Sequence, residues 1–193
     1  MTALAETLDI LNALRARYAS MTGGTAMGDP KDIIAALVRV LDGGSVHYAM
    51  IGGMAAQVWR REPRTTLDID LAVRSYDELP VAELERAGFH KLARYEHTEN
   101  WQAPDGSPIQ FSDDPLFAEA IATAVSMPFA NATVRIISAR ELVRTKLRAC
   151  GDPARRRSKR LQYLADATSV VEAHPEVRGP LSDEERIALD REP

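Results

Sequence analysis

Residues 46–73 read VHYAMIGGMAAQVWRREPRTTLDIDLAV, and the order of patterns in this stretch decides the predicted fold. It begins with a short apolar run of β-forming residues over 46–51, which predicts a strand. The run closes on the pair Gly52 and Gly53, just before a helical segment. A glycine pair that opens a helix lets a phosphate approach the backbone N–H groups at the positive end of the helix dipole. The stretch therefore predicts a phosphate-binding turn.

Two acidic residues stand in the apolar second half of the same stretch. After a helix over 54–61, ended by Pro63, residues 67–73 read LDIDLAV and predict a second strand. Because strand residues two apart point to the same face, we expect Asp68 and Asp70 to project together. Adjacent carboxylates repel each other unless a cation joins them, and Mg²⁺ binds one or two carboxylates together with substrate phosphates. The alternative is a half-exposed edge strand with two solvated acids.

The rest of the chain alternates helical and β-like segments around this stretch. Leucines at three- and four-residue spacing predict a helix over 3–19, a glycine-rich linker follows, and Asp29-Pro30 starts a helix to about residue 42. Asp105-Gly106 is typical of a tight turn between two strands. The remaining predicted elements are helices over 76–87, from the capping pair Ser138 and Glu141, over 155–172 and after Ser182, and strands over 89–95, 99–103, 107–112 and 134–137.

Together these elements predict an α+β protein, with a mixed β-sheet, flanking helices and a helical C-terminal tail. We divide the chain into three parts. They are an N-terminal helix and glycine-rich linker over 1–28, a core over 29–137, and C-terminal helices that pack on the core over 138–193. Both the glycine pair and the aspartate pair lie in the core.

The composition narrows the class of protein further. The chain has 193 residues, 45% of them hydrophobic and 27% charged, as in an ordinary globular protein. Its net charge of −4 argues against nucleic-acid binding over the whole surface, because phosphates are neutralised by Lys and Arg. Cys150 is the only cysteine, so no internal disulfide can form. Without a membrane-spanning run or a signal-peptide pattern, we expect a cytoplasmic protein with no membrane partner.

A local cluster of positive charge lies late in the chain. Five basic residues fall within six positions: Arg155, Arg156, Arg157, Lys159 and Arg160. Such a cluster suits the phosphates of an RNA acceptor or the acidic surface of a protein acceptor. The alternative is the solvated start of a helix.

The histidines and tryptophans carry weaker signals. No metal-ligand spacing links the four histidines, which we interpret as structural or exposed: His47, His90, His97 and His174. We expect Trp59 in the core, whereas Trp101 either covers the sheet or stacks on a nucleotide base.

The glycine pair and the aspartate pair, in this order, resemble the signature of the DNA polymerase beta-like nucleotidyltransferase superfamily. The matching residues are 48–55, YAMIGGMA, and 64–71, RTTLDIDL. In that signature a strand, a Gly-Gly or Gly-Ser pair and a helix precede an Asp-x-Asp strand that follows Arg-x-Thr. Residues 134–166 resemble the downstream half of AbiEii-type and related small bacterial members, so the resemblance spans roughly residues 30–173.

The resemblance implies a role for each matching residue. Four residues would bind a nucleoside triphosphate: Gly52, Gly53, Arg64 and Thr66. Asp68 and Asp70 would be the catalytic ligands of Mg²⁺ or Mn²⁺. Lys146 would contact phosphate and stabilise leaving-group charge, and its alternative is an exposed helix lysine. The implied reaction moves an NMP group from an NTP to a hydroxyl of RNA, protein or a small molecule, with release of pyrophosphate.

Two positions depart from the superfamily's pattern. Many members carry a third acidic residue on a later strand, where this sequence has Gln110, and an amide is a poorer metal ligand that cannot act as a base. Asp114 would take that place only if a bulge shifted the strand. Members often carry Asp at the position of Tyr163; here Asp166 takes that role one turn later, or no residue does.

These departures leave a second function open. The chain would then be a degenerate partner protein that keeps the fold and nucleotide binding but has little catalysis. A toxin–antitoxin component that acts with a protein from a neighbouring gene is one example. A third reading is an α/β domain whose motifs match by accident.

Overall fold

The computed structural model describes residues 29–62, 66, 68–129 and 132–190, together with Ala13. The predicted N-terminal helix and linker lie outside the described residues, apart from Ala13. Arg64, Thr65 and Leu67 also lie outside them. The division of the chain into three parts stays a prediction.

One mixed sheet forms the centre of the described chain. Its strands are β1 Tyr48–Met50, β2 Ile69–Val73, β3 His90–Arg94, β4 Glu99–Gln102, β5 Pro108–Ser112, β6 Val125–Phe129 and β7 Ala132–Ile136. They lie side by side in the order β3-β4-β5-β2-β1-β7-β6. β2 is parallel to β5 and β1 is parallel to β7, whereas the other neighbours are antiparallel. The predicted α+β class with a mixed sheet is confirmed.

Helices flank this sheet. In the described ranges they are α1 Pro30–Gly43, α2 Gly52–Trp59, α3 Val81–Arg86, α4 Ala118–Ala122, α5 Ala139–Gly151, α6 Arg157–Ala173 and α7 Asp183–Leu189. The side chains of Asp29 and Ser138 cap α1 and α5, and a full capping box of Ser182 and Glu185 starts α7. α5 and α6 pack against each other, and both contact α2. No helix among the described residues has the length and apolar character needed to cross a membrane.

The burial of alternate residues of β2 explains why Asp70 lies on the opposite face of the strand. Ile69, Leu71 and Val73 are buried, as the alternation in the sequence predicts, so the intervening Asp70 must face the other way. Trp101 is also buried, and its indole N–H donates to Glu99 Oε2 at 3.1 Å. The base-stacking alternative for Trp101 is therefore wrong, because a buried ring offers no face to a nucleotide.

The helix predicted over 76–87 is interrupted. Tyr76–Glu78 forms a 3₁₀ turn and α3 begins only at Val81, because Pro80 lacks an N–H and disfavours helical backbone at Leu79. This predicted element was wrong in its first half.

The sequence prediction also missed the segment between β5 and β7. A 3₁₀ turn over Pro115–Phe117, then α4 and β6, occupy it. Pro128 argues against a strand in a sheet interior, but β6 is the outermost strand of the described sheet, where proline is tolerated.

Candidate active site

The glycine pair forms the turn between β1 and α2. Gly52 has a φ of +68°, a left-handed conformation that strongly favours glycine, and α2 begins at this residue. A Cβ placed on Gly52 would overlap the Asp70 carboxylate and lie 2.8 Å from Asp70 Cβ. Only glycine therefore allows β2 to approach the turn so closely.

The aspartate pair lies against this turn. Asp70 is the second residue of β2, while Asp68 lies one residue before the strand and is exposed. Burial and the nearby Asp68 charge raise the pKa of Asp70 to about 6, although Lys146 and a hydrogen bond from the Gly53 N–H oppose that rise. The site concentrates negative charge at one point, which a bound cation would offset.

The position of Gln110 follows from strand register. Asp70 and Gln110 are directly opposite each other on the parallel pair β2 and β5, so their side chains share a face of the sheet. The Gln110 amide donates to Asn100 Oδ1 at 3.3 Å. The β2–β5 pairing has no bulge, and Asp114 lies beyond the end of β5, where its carboxylate accepts from the Leu116 N–H at 2.9 Å. Gln110, and not Asp114, is therefore the neighbour of Asp70.

The described residues offer two carboxylates to a metal at this point. No group of three or more His, Cys, Asp or Glu side chains that could hold a metal ion occurs in the described part of the chain. One or two carboxylates are sufficient for Mg²⁺ when the remaining ligands are water and substrate phosphate. The chemistry of Asp68 and Asp70 therefore fits Mg²⁺ or Mn²⁺.

Lys146 reaches the same site from α5, and it is not an exposed helix lysine. Its side chain is 6% exposed, and its ammonium lies 2.9 Å from Asp166 Oδ2. The other oxygen of Asp166 accepts from Arg60 Nη1 at 2.7 Å. Asp166 is 1% exposed, so we interpret it as the buried counter-ion of two cations. It ties α6 to α5 and to the end of α2.

The residues of the basic cluster lie in two different places. Arg155 and Lys159 line the cavity that contains Asp70, together with Arg148 from α5. Arg155 also donates to the Tyr163 hydroxyl at 3.3 Å. Arg160 instead donates to the Cys150 carbonyl at 2.9 Å and joins α6 to the end of α5.

His97 belongs to the site, although its sequence context gives no sign of it. Its Nδ1 lies 3.1 Å from Asp113 Oδ1, and this hydrogen bond raises the pKa of His97. His97 and Asp113 face each other only because β4 and β5 pair as a hairpin. The predicted hairpin turn at Asp105-Gly106 is the sequence signal that could have brought the two residues together.

The glycine turn, the aspartate pair, Lys146 and His97 line one cavity of about 690 Å³, a size suited to a nucleotide-scale ligand. Thr66 lies in its wall, as do both glycines of the turn. The lining residues are Ile51, Gly52, Gly53, Thr66, Asp68, Asp70, His97, Thr98, Gln110, Ser112, Asp114, Leu116, Phe117, Thr145, Lys146, Arg148, Ala149, Asp152, Arg155, Lys159, Gln162 and Tyr163.

Comparison with known proteins identifies the architecture. No protein-family model and no curated protein sequence matches the chain. An antigenic nucleotidyltransferase-like protein from Paracoccidioides brasiliensis is similar in structure over 84% of this chain and 87% of its own, with a TM-score of 0.58 and 20% identity. The antibiotic-resistance factor ANT(2'')-Ia is similar over 82% and 88%, with a TM-score of 0.55 and 16% identity. The chain has the nucleotidyltransferase fold.

A third structure shares this fold. The lincosamide antibiotic adenylyltransferase LnuA, solved with lincomycin bound, is similar over 72% of this chain and 96% of its own, with a TM-score of 0.51 and 11% identity. At these identities the comparison establishes the nucleotidyltransferase fold only. The closer resemblance to AbiEii-type members stays a prediction.

Proposed function

We propose that this chain is a metal-dependent nucleotidyltransferase that moves an NMP group from an NTP to a hydroxyl of RNA, protein or a small molecule. The observation that carries the proposal is the placement of Asp70. It is packed on the Gly52 turn beside Asp68, in a cavity that Lys146 also lines. The nucleotidyltransferase fold supports the same conclusion.

The nucleotide would be held by groups on one side of Asp70. The positive end of the α2 dipole suits a phosphate, and Lys146, Arg155 and Lys159 add positive charge in the same cavity. Asp68 and Asp70 would hold Mg²⁺ or Mn²⁺, which when bound neutralises charge on the phosphate oxygens. We propose that Arg64, two residues before Thr66, also binds the nucleotide.

The reaction would be an in-line displacement at phosphorus. The acceptor hydroxyl oxygen forms a bond to the α-phosphorus, and the bond from that phosphorus to the bridging oxygen of the β-phosphate breaks. The hydroxyl proton is released, and pyrophosphate leaves with the bonding electron pair. Lys146 would stabilise this leaving group, and its ion pair with Asp166 at 2.9 Å restrains the position of its ammonium.

Gln110 favours a second candidate function. Its amide stands beside Asp70, where a carboxylate would complete a metal site or accept the proton of the acceptor. A chain with this substitution is suited to bind an NTP with little turnover and to act through a partner protein, as a toxin–antitoxin component would.

One assay separates the two candidates. The protein is incubated with each α-labelled NTP, Mg²⁺ or Mn²⁺, and separate pools of total RNA, protein and small molecules, and label transfer is measured. Transfer that is lost in the double variant Asp68→Asn with Asp70→Asn supports the enzyme. NTP binding without transfer to any pool supports the partner protein. A protein that does not bind any NTP would contradict both.

A further inference from the structure

The candidate cavity has two walls of different chemistry. β2, which carries Asp70, lies between β5 on one side and β1 and β7 on the other. The wall built by α5, α6 and the loop between them contributes Lys146, Arg148, Arg155 and Lys159, together with Asp152, which pairs with Arg155. The wall built by β4, β5 and the 3₁₀ turn after β5 contributes no lysine or arginine from the described residues. The lysines and arginines of the described lining are therefore confined to one wall.

The triphosphate belongs to the basic wall. The Gly52 turn opens α2, which contacts α5 and α6, and the turn lines the same cavity as the four cations, so a triphosphate bound at the turn would also meet those cations. A triphosphate placed there leaves the opposite wall free. Since an in-line displacement needs the attacking oxygen opposite the leaving pyrophosphate, the acceptor must approach from the β4–β5 side.

The β4–β5 wall is apolar in part and otherwise neutral or acidic. Leu116 is 54% exposed and Phe117 is partly exposed beside it, which gives the wall an apolar surface. Gln110 and Ser112 are neutral, and Asp114 is acidic. The cation that His97 would carry when protonated is paired with Asp113. This wall can pack an apolar ring and tolerate an amine, but it lacks the lysines and arginines that neutralise phosphates.

From this asymmetry, and resting on the nucleotidyltransferase activity proposed above, we infer the class of acceptor. The acceptor is a small hydroxyl compound, neutral or positively charged, with an apolar face that packs on Leu116 and Phe117. An RNA or another phosphorylated acceptor would meet no matching charge on this wall.

The first experiment separates acceptors by charge. A small-molecule extract is divided by ion exchange into cationic, neutral and anionic fractions, and each is incubated with the protein, Mg²⁺ and α-labelled NTPs, beside total RNA and total protein. The inference expects label in the cationic or neutral fraction. Predominant labelling of RNA, protein or the anionic fraction would overturn it, as would NTP binding without label in any fraction. Absence of Mg²⁺-dependent NTP binding would instead contradict the proposed function itself.

A pair of matched variants tests the wall directly. Leu116→Lys places a cation on the acceptor wall, whereas Leu161→Lys makes the same change at another exposed leucine, on α6 and outside the cavity lining. Leu116→Lys should lower transfer to a cationic acceptor about tenfold, equivalent to about 1.4 kcal/mol, and leave the KM for NTP unchanged. Leu161→Lys should alter neither. Equal effects of the two variants, or a raised KM for NTP in Leu116→Lys alone, would overturn the assignment of this wall.

Discussion

Among single residues, Gly52 is constrained both by its backbone conformation and by its contact with the site. It combines a φ of +68° with direct contact to Asp70, so a side chain at this position meets two separate penalties. We predict that Gly52→Ala lowers the free energy of unfolding by at least about 2 kcal/mol, because left-handed backbone alone costs about 1–2 kcal/mol and the overlap adds to it. Urea denaturation measures this loss.

Gly106 supplies the control for Gly52. Its φ of +86° is also left-handed, but a Cβ there would meet no atom within 4 Å. Gly106→Ala should therefore show the backbone penalty alone. If both variants lose the same free energy, Asp70 does not pack on the turn as described.

At the scale of elements, the register of β2 and β5 decides what Gln110 can do. Ile109 and Phe111 are buried and hold β5 in place, so Gln110→Asp puts a carboxylate beside Asp70. We predict that this variant raises the rate of NMP transfer by roughly 10²–10⁴-fold, the contribution of a positioned acid or base. The rate of label transfer at saturating NTP measures the effect.

Asp114 is the competing position for a third carboxylate. Asp114→Asn keeps the cap on Leu116, because an amide oxygen also accepts from its N–H. This variant should change transfer much less than Gln110→Asp does. Loss of activity in Asp114→Asn, with no change in Gln110→Asp, would show that Asp114 is the true third carboxylate.

The contribution of α7 to the stability of the fold depends on pH through Glu185. Partial burial alone would raise the pKa of Glu185, but the Ser182 N–H and Arg144, whose Nε lies 2.9 Å away, together hold it below its ordinary value of 4.5. The ionised form is thus favoured by folding. Its contribution is complete above pH 4.5 and is lost as the pH falls through the lower, folded pKa.

We predict that Glu185→Gln lowers the free energy of unfolding at pH 7 by no more than about 1 kcal/mol, because the pair is partly exposed and screened by solvent. The difference from wild type should shrink as the pH falls below about 4.5. Chemical denaturation across this pH range tests it, with the exposed neighbour Glu184→Gln as control. A difference that grows toward low pH would contradict the assignment.

Elements with strong local signals could be predicted from the sequence. The alternation in β2, the Asp105-Gly106 turn and the cap at Ser138 identified their elements within a few residues. The segment over 115–129 could not be predicted, since β6 carries Pro128 and is stabilised by pairing with β7. Where tertiary contacts override local preference, a single sequence holds too little information.

For the whole molecule, the candidate site was only half visible in the sequence. Gly52, Gly53, Asp68 and Asp70 lie within one short stretch, so their proximity follows from local structure. The contact of Lys146 with Asp166 depends on how α5 and α6 pack, and that of His97 with Asp113 depends on the register of the β4–β5 hairpin.

The ion network around Asp166 connects three helices of the molecule. Asp166 contacts Lys146 on α5 and Arg60 at the end of α2, and it is buried. We predict that Asp166→Ala lowers the free energy of unfolding by about 3–5 kcal/mol, because two cations lose their buried partner. The exposed pair of Arg178 and Asp190 offers a control, and Asp190→Ala should cost much less, because exposed ion pairs add little stability. Similar losses in urea denaturation would contradict the network's role.

The proposed function requires that the cavity bind an NTP through a metal held by Asp68 and Asp70. Calorimetric titration of NTP into wild-type protein and the double variant Asp68→Asn with Asp70→Asn, with and without Mg²⁺, tests it most directly. We predict Mg²⁺-dependent binding in the wild type and none in the variant, whose thermal unfolding should show an intact fold because Ile69 and Leu71 still fill the core. Equal NTP affinity in the two proteins would contradict the claim.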